Sequence, residues 1–140
     1  MQKTIILVLT LMLTGRAMTL AFIHRAGGGG VGDPPLAWLM PLIGDSVVGL
    51  SGLAIAYLIW TRRGLAIWTL VVVWNAIAIW DAMSAYIIHL TVPWPEFFMV
   101  QVFGPSMFFM ASAMHLVILV LAIREPLRSL LMNNNKLAAS

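Results

Sequence analysis

The chain has 140 residues, of which 61% are hydrophobic and only 9% charged, with a mean hydropathy of +0.97. Soluble domains are about one quarter charged, so this composition excludes an ordinary soluble domain and indicates a membrane protein. The pI of about 10.0 does not indicate nucleic acid binding, because the basic residues are scattered at segment ends and form no single face. The absence of cysteine excludes disulfides, thiolate metal sites and iron–sulfur clusters.

Four apolar runs follow one another along the chain, each long enough to cross a hydrocarbon layer as a helix. We predict spans over residues 4–23, 36–60, 65–90 and 97–123. Glycine and proline in the connections HRAGGGGVGDPP, TRRG and TVPWPE end each helix and turn the chain back. The sequence therefore predicts an all-α integral membrane four-helix bundle, up-down-up-down, formed by residues 1–128. Residues 129–140 are expected to be a disordered polar tail.

The basic residues predict the orientation of this bundle. One side of the layout carries Lys3, Arg62, Arg63, Arg124, Arg128 and Lys136, and the other carries Arg25 alone. By the positive-inside rule both termini lie in the cytoplasm, and the expected location is the bacterial inner membrane, with lipid around a multi-pass protein. The first run resembles a signal peptide, but Arg16 within it favours a retained helix.

Arg16, Asp45, Asp81 and His115 lie one in each predicted span, away from the span ends. Such groups are costly in hydrocarbon, at about 2.5–3.5 kcal/mol for Arg or Asp at the bilayer centre, so they should face one another inside the bundle. Counting about 1.5 Å per residue from the outer helix ends places the first three roughly 12–14 Å deep. The same count places His115 roughly 27 Å deep, outside that layer, with Asn75 at roughly 22 Å as its nearest polar neighbour.

Helical spacing indicates that these polar residues lie on packing faces. Asp45 shares a face with Gly49, Gly52 and Ala56, and Asp81 shares one with Ala78, Ala82 and Ala85. Small residues on such faces let helix backbones approach closely. On the fourth span, spacings of three and four place a set of residues on one stripe, and these are Gln101, Pro105, Phe108, Ser112 and His115.

The candidate site is therefore an intramembrane network, composed of Arg16, Asp45, Asn75, Asp81, Gln101, Ser112 and His115. One arginine cannot neutralise two neighbouring carboxylates, so one of them can hold a proton at neutral pH. Two interpretations stay open. The network is either a structural clamp that fixes helix order or a binding site for a proton-coupled or polar ligand.

The methionines of the fourth span have spacings that resemble those used by copper(I). Met107, Met110 and Met114 lie opposite the stripe that contains His115, which favours packing against lipid or a partner protein. A haem held by two histidines would need them at matching depth, which His89 and His115 do not offer. No phosphate loop, nucleophile motif or zinc spacing indicates an enzyme, and the sequence requires no cofactor or metal.

Three stretches, IGDSVVGLSGLAIA, WNAIAIWDAMSAY and VPWPEFFMVQVFGPSMFFMASAMHLVILVLA, resemble a group of small bacterial four-span membrane proteins. That group has a Gly-Asp early in span two, a Trp-Asn and then an Asp in span three, and a proline-rich entry to a span four that ends in a His. The residues here that match are Gly44, Asp45, Trp74, Asn75, Asp81, Pro93, Pro105 and His115. The resemblance covers residues 36–123, departs at Gly104, and implies a membrane fold but no activity.

Three functional hypotheses follow. The first is a non-enzymatic accessory or assembly subunit of a membrane complex, bound to other subunits or to itself through a surface made by Phe103, Met107, Met110 and Met114. The second is a small binding or transport protein that uses the buried network. The third is a redox component that binds quinone or haem.

Overall fold

The computed structural model describes residues 2–92, 102–124 and 128, and its regular elements in those residues are all helical. Four helices are long and apolar enough to cross a membrane, and we number them helix 1 to helix 4 in chain order. Their bounds are Lys3–Ile23, Leu36–Thr61, Leu65–His89 and Ser106–Ile123. The predicted all-helical chain with four long apolar helices is confirmed, and it is compatible with a multi-pass membrane protein.

Helices 1 to 3 begin and end within one residue of the predicted bounds, but helix 4 differs. Its continuous part begins at Ser106, because Gly104 has a φ of +54° and Pro105 forms the N-cap. Val102 and Phe103, before this break, are helical as well, and the predicted start at residue 97 lies outside the described residues. Residues 93–101 and the tail 129–140 lie outside the described residues, so the predictions for those segments stay predictions.

Helix 1 is not a uniform α-helix. It is α-helical over Gln2–Leu13, forms a 3-10 helix over Thr14–Thr19 and returns to α over Leu20–Ile23. The hydroxyls at both ends of the 3-10 segment bond back to the main chain, from Thr14 Oγ1 to Leu11 O at 2.6 Å and from Thr19 Oγ1 to Arg16 O at 2.7 Å. Such bonds compete with regular helix geometry, so the tighter turn falls around Arg16.

The helices run alternately up and down. Lys3 Nζ, at the start of helix 1, donates to Trp60 O near the end of helix 2, at 3.2 Å. Trp68 Nε1, at the start of helix 3, donates to Ala122 O near the end of helix 4, at 2.9 Å. These four residues lie at one end of the bundle, which we call the Lys3 end, and the loop of residues 24–35 lies at the other, the Pro34 end.

Two clusters of buried apolar side chains hold the helices together. The larger one occupies the half of the bundle near the Lys3 end and contains Ile6, Leu13, Val48, Ile55, Ile59, Val71, Trp74, Ala78, Ile118 and Ala122. The smaller one lies near the Pro34 end and contains Trp38, Leu42, Ala85 and Phe108. Along helices 2, 3 and 4, Asp45, Asp81 and His115 fall between members of the two clusters, so the polar network separates two apolar layers.

Candidate functional site

Arg16 is the centre of the polar network, because its guanidinium contacts all three other helices. Its Nε donates to Asp45 Oδ1 at 2.7 Å, and its Nη2 contacts the same oxygen and Asp81 Oδ2, the latter at 2.6 Å. Its Nη1 donates to Ala78 O at 3.4 Å and lies 3.2 Å from His115 Nε2. The fork geometry of arginine allows one side chain to hold both carboxylates and the imidazole.

His115 extends this network into the bundle. Its Nδ1 lies 2.8 Å from Asn75 Oδ1, and Asn75 Nδ2 donates to Val71 O at 2.8 Å. Because Nε2 faces an arginine N–H it must accept, so Nδ1 carries the proton and donates to Asn75. His115 is therefore neutral in this arrangement. Both His115 and Asn75 have 0% exposed surface. The rings of Trp74 and His115 are in an edge-to-face arrangement, with their centroids 5.0 Å apart.

Glycines make room for the network. A Cβ on Gly44 would lie 1.9 Å from Asp81 Oδ1, and one on Gly49 would lie 2.1 Å from Ala17 N. The first glycine therefore leaves space for the carboxylate, and the second lets the 3-10 segment of helix 1 lie against helix 2. The predicted small-residue faces are confirmed as packing faces, with Gly49, Gly52 and Ala56 buried on helix 2 and Ala78, Ala82 and Ala85 buried on helix 3.

The formal charges of the network do not balance. Arg16 contributes one positive charge, Asp45 and Asp81 contribute two negative charges, and the neutral His115 contributes none. The side chains are 10%, 18% and 15% exposed for Arg16, Asp45 and Asp81. A site of this composition, partly removed from solvent, needs one further proton or cation to reach neutrality.

A cavity of about 340 Å³ lies between helix 1 and helix 4 and reaches this network. Most of its wall is apolar, with methionine and phenylalanine prominent, and Arg16 and Asp45 form its polar part. It is lined by Met12, Leu13, Gly15, Arg16, Met18, Thr19, Phe22, Asp45, Ala82, Phe103, Met107, Phe108, Met110, Ala111 and Met114. Met12, Met18 and Met110 are at least half exposed, so in the described part of the chain the cavity opens to the surface.

Five of the seven residues in the predicted network are joined by direct contacts, and these are Arg16, Asp45, Asn75, Asp81 and His115. Ser112 is not joined, since its buried Oγ has no hydrogen-bond partner among the described residues. Gln101 lies outside the described residues. His115 contacts Asn75, the residue that counting along the helices gave as its nearest polar neighbour in depth.

The expected depth of His115 is wrong. It was placed outside the layer of Arg16, yet its Nε2 lies 3.2 Å from Arg16 Nη1. The reason is the start of helix 4, since from Ser106 the histidine is about as far along its helix as Asp45 is from Leu36 and Asp81 from Leu90. The long side chain of Arg16 then extends far enough to contact the imidazole.

The sequence did not identify the methionines as part of a site. Met107, Met110 and Met114 were expected to face lipid or a partner, but they line the same cavity as Met12 and Met18 of helix 1. Their periodicity predicts a common face of helix 4 correctly. It contains no information about which residues of helix 1 lie opposite that face, because this depends on how helix 1 packs on helix 2.

Comparisons with family models, curated proteins and solved structures found no match to this chain.

Proposed function

We propose that this protein is a multi-pass membrane protein, with both termini in the cytoplasm, that binds a small amphipathic molecule in the cavity between helix 1 and helix 4. The apolar part of the ligand lies against the methionines and phenylalanines, and its polar part lies at Arg16 and Asp45. In this proposal the buried network holds the helices together and also forms the polar end of the binding site.

The observation that carries this proposal is the cavity itself. Its volume of about 340 Å³ lies within the range of small-molecule sites, which are mostly apolar with a few placed polar groups. Methionine suits such a wall because its flexible thioether adapts to the shape of a ligand. A network that served only as a clamp would have no need of an apolar cavity against Asp45.

Binding is supported over passage across the membrane. Between the network and the Lys3 end, the larger apolar cluster is closely packed, and Ile6, Ile59 and Ile118 in it are at most 1% exposed. A polar molecule would have to give up its hydration to enter that layer, which is costly. In this conformation the site is therefore reached from the cavity and not from the Lys3 end.

Two observations also concern the accessory-subunit and haem hypotheses. The accessory-subunit hypothesis relies on Phe103, Met107, Met110 and Met114 as a contact surface, and all four line the cavity. Haem ligation by His115 would require an imidazole nitrogen, but Nε2 faces Arg16 and Nδ1 faces Asn75. Both observations favour a small ligand in the cavity.

Filling the cavity tests the proposal. Gly15 lines it, and a Cβ added there meets nothing within 4 Å, so Gly15→Phe adds a ring at the wall of the cavity without a clash at the backbone. The matched control is Ala54→Phe, on an exposed position of helix 2 outside the cavity. The measurement is native mass spectrometry of each protein purified from its host membranes in mild detergent.

We expect a bound small molecule on the wild type and on Ala54→Phe, and its loss from Gly15→Phe. Recovery of the same adduct from Gly15→Phe, or of no adduct from the wild type, would overturn the proposal. Circular dichroism of the three proteins checks that helix content is unchanged.

A further inference from the structure

The polar end of the cavity offers no free hydrogen-bond donor from arginine. A guanidinium has five N–H groups, and Arg16 directs them to Asp45, Asp81, Ala78 O and His115. An anionic ligand, or one that presents only carbonyl oxygens, would have to break an existing bond to be held there. Arg16 therefore positions the carboxylates and does not receive the ligand.

Asp45, in contrast, has spare acceptor capacity. Both of its contacts with Arg16 use Oδ1, and Oδ2 accepts no hydrogen bond from the described residues. The side chain is 18% exposed and lines the cavity. With one arginine against two carboxylates and a neutral His115, the network lacks one positive charge, which either a proton or a bound cation can supply.

The walls of the cavity suit a cation as well as an apolar body. Phe22, Phe103 and Phe108 line it, and aromatic rings attract cations, most strongly where water is excluded. Phe22 already holds one, since Arg25 Cζ lies 5.8 Å from its ring centroid. Phe108 is held in place by stacking on Trp38, with ring centroids 6.4 Å apart. The polarizable sulfurs of the five methionines add a soft, apolar surface for the rest of the ligand.

We infer that the ligand of this cavity is a small lipophilic cation, such as an amine or quaternary ammonium that carries an apolar group. Its positive centre lies at Asp45, where it completes the charge of the network, and its apolar group lies among the methionines and phenylalanines. This inference rests on the proposed function and specifies the charge of the ligand.

Three probes of similar size and shape but different charge test the sign of this charge. They are benzyltrimethylammonium, its neutral carbon isostere neopentylbenzene, and the anion benzylsulfonate. Binding of each is measured by calorimetric titration of the full chain in lipid nanodiscs, with empty nanodiscs as the blank. We expect the cation to bind at least about tenfold more tightly than either other probe, as is typical of a close and partly desolvated charge pair.

Asp45→Asn removes the charge and keeps the shape of the side chain. We expect it to weaken binding of the cation by about tenfold and to leave neopentylbenzene unchanged. The comparison among probes on the wild type needs no variant, so the inference stays testable if Asp45→Asn does not fold. Equal or tighter binding of the neutral or anionic probe to the wild type would overturn it.

Gly15→Phe separates this inference from the proposed function. If all three probes bind the wild type equally and Gly15→Phe abolishes their binding, the cavity is a binding site and the inferred charge is wrong. If Gly15→Phe leaves binding of every probe unchanged, the cavity is not the site, and both the proposed function and the inference fail.

Discussion

At the scale of single residues, Gly44 decides whether the network can form. A Cβ at this position would lie 1.9 Å from Asp81 Oδ1 and 2.8 Å from Asp81 Cγ, so Gly44→Ala must displace the carboxylate from Arg16. We expect a loss of about 1–3 kcal/mol in the free energy of unfolding, as for other overpacked interiors. Thermal unfolding followed by circular dichroism in detergent measures this loss.

Gly15→Ala is the matched control for Gly44→Ala, because a Cβ at Gly15 meets nothing within 4 Å. Alanine is the better helix former, so this variant should be as stable as the wild type or more so, by up to about 1 kcal/mol. Equal effects of the two substitutions would mean that the carboxylate does not need the space that Gly44 leaves.

The sequence predicted which charged residues meet but not how they meet. Arg16, Asp45 and Asp81 were identified because a charge in an apolar span needs a partner. The contact between Arg16 and His115 was missed, since it depends on the start of helix 4 and on which of the guanidinium nitrogens faces helix 4. Neither follows from spacing along one helix.

At the scale of the elements, the bounds of helices 1 to 3 could be predicted because arginine, glycine and proline interrupt long apolar runs. The 3-10 segment Thr14–Thr19 could not, although Thr14, Gly15 and Thr19 are all weak helix formers. The hydroxyl bonds of Thr14 and Thr19 act there together with a tertiary contact, the close approach of the backbone to Gly49, which spacing along helix 1 does not indicate. The cavity beside this segment could therefore not be predicted from the sequence.

One ion pair and the backbone bond from Gly27 N to Pro34 O, at 2.9 Å, join the two sides of the loop between helices 1 and 2. Arg25 Nε donates to Asp33 Oδ1 at 2.7 Å, and Gly30 N donates to Asp33 Oδ2 at 2.9 Å. The bond from Arg25, followed by that from Gly30, lowers the pKa of Asp33 below its usual 3.8. A carboxylate with a lowered pKa stabilises the loop above the usual value and loses that effect as the pH falls through the lowered one.

We therefore expect the contacts of Asp33 to hold at neutral pH and to be lost in acid below about pH 3.8, as Asp33 gains a proton. The amide of Gly30 reports this directly, because it should exchange with deuterium faster, relative to its intrinsic rate, once its acceptor is protonated. Asp33→Asn should show the faster relative exchange at every pH. A relative rate that is the same for wild type and variant at pH 7 would mean that this ion pair does not hold the loop.

At the scale of the whole molecule, basic side chains collect at one end of the bundle. Lys3 bonds to Trp60 O, and the guanidinium of Arg128 lies 5.6 Å from the ring centre of Trp68. Arg62 and Arg63 follow directly after helix 2 at the same end. The charge asymmetry noted in the sequence thus becomes an asymmetry in space, because alternating helices carry their loops to opposite ends.

This asymmetry predicts that the Lys3 end faces the cytoplasm in a bacterial inner membrane. The chain contains no cysteine, so single cysteines can be introduced without a background. Val31→Cys places one at a residue that is 99% exposed in the loop at the Pro34 end, and Thr61→Cys places one on an exposed position at the Lys3 end. We expect a membrane-impermeant maleimide to label Val31→Cys in intact spheroplasts and to label Thr61→Cys only after the membrane is opened. The reverse pattern would mean that the bundle is inserted the other way round, and labelling of both in intact spheroplasts would contradict a membrane-spanning bundle.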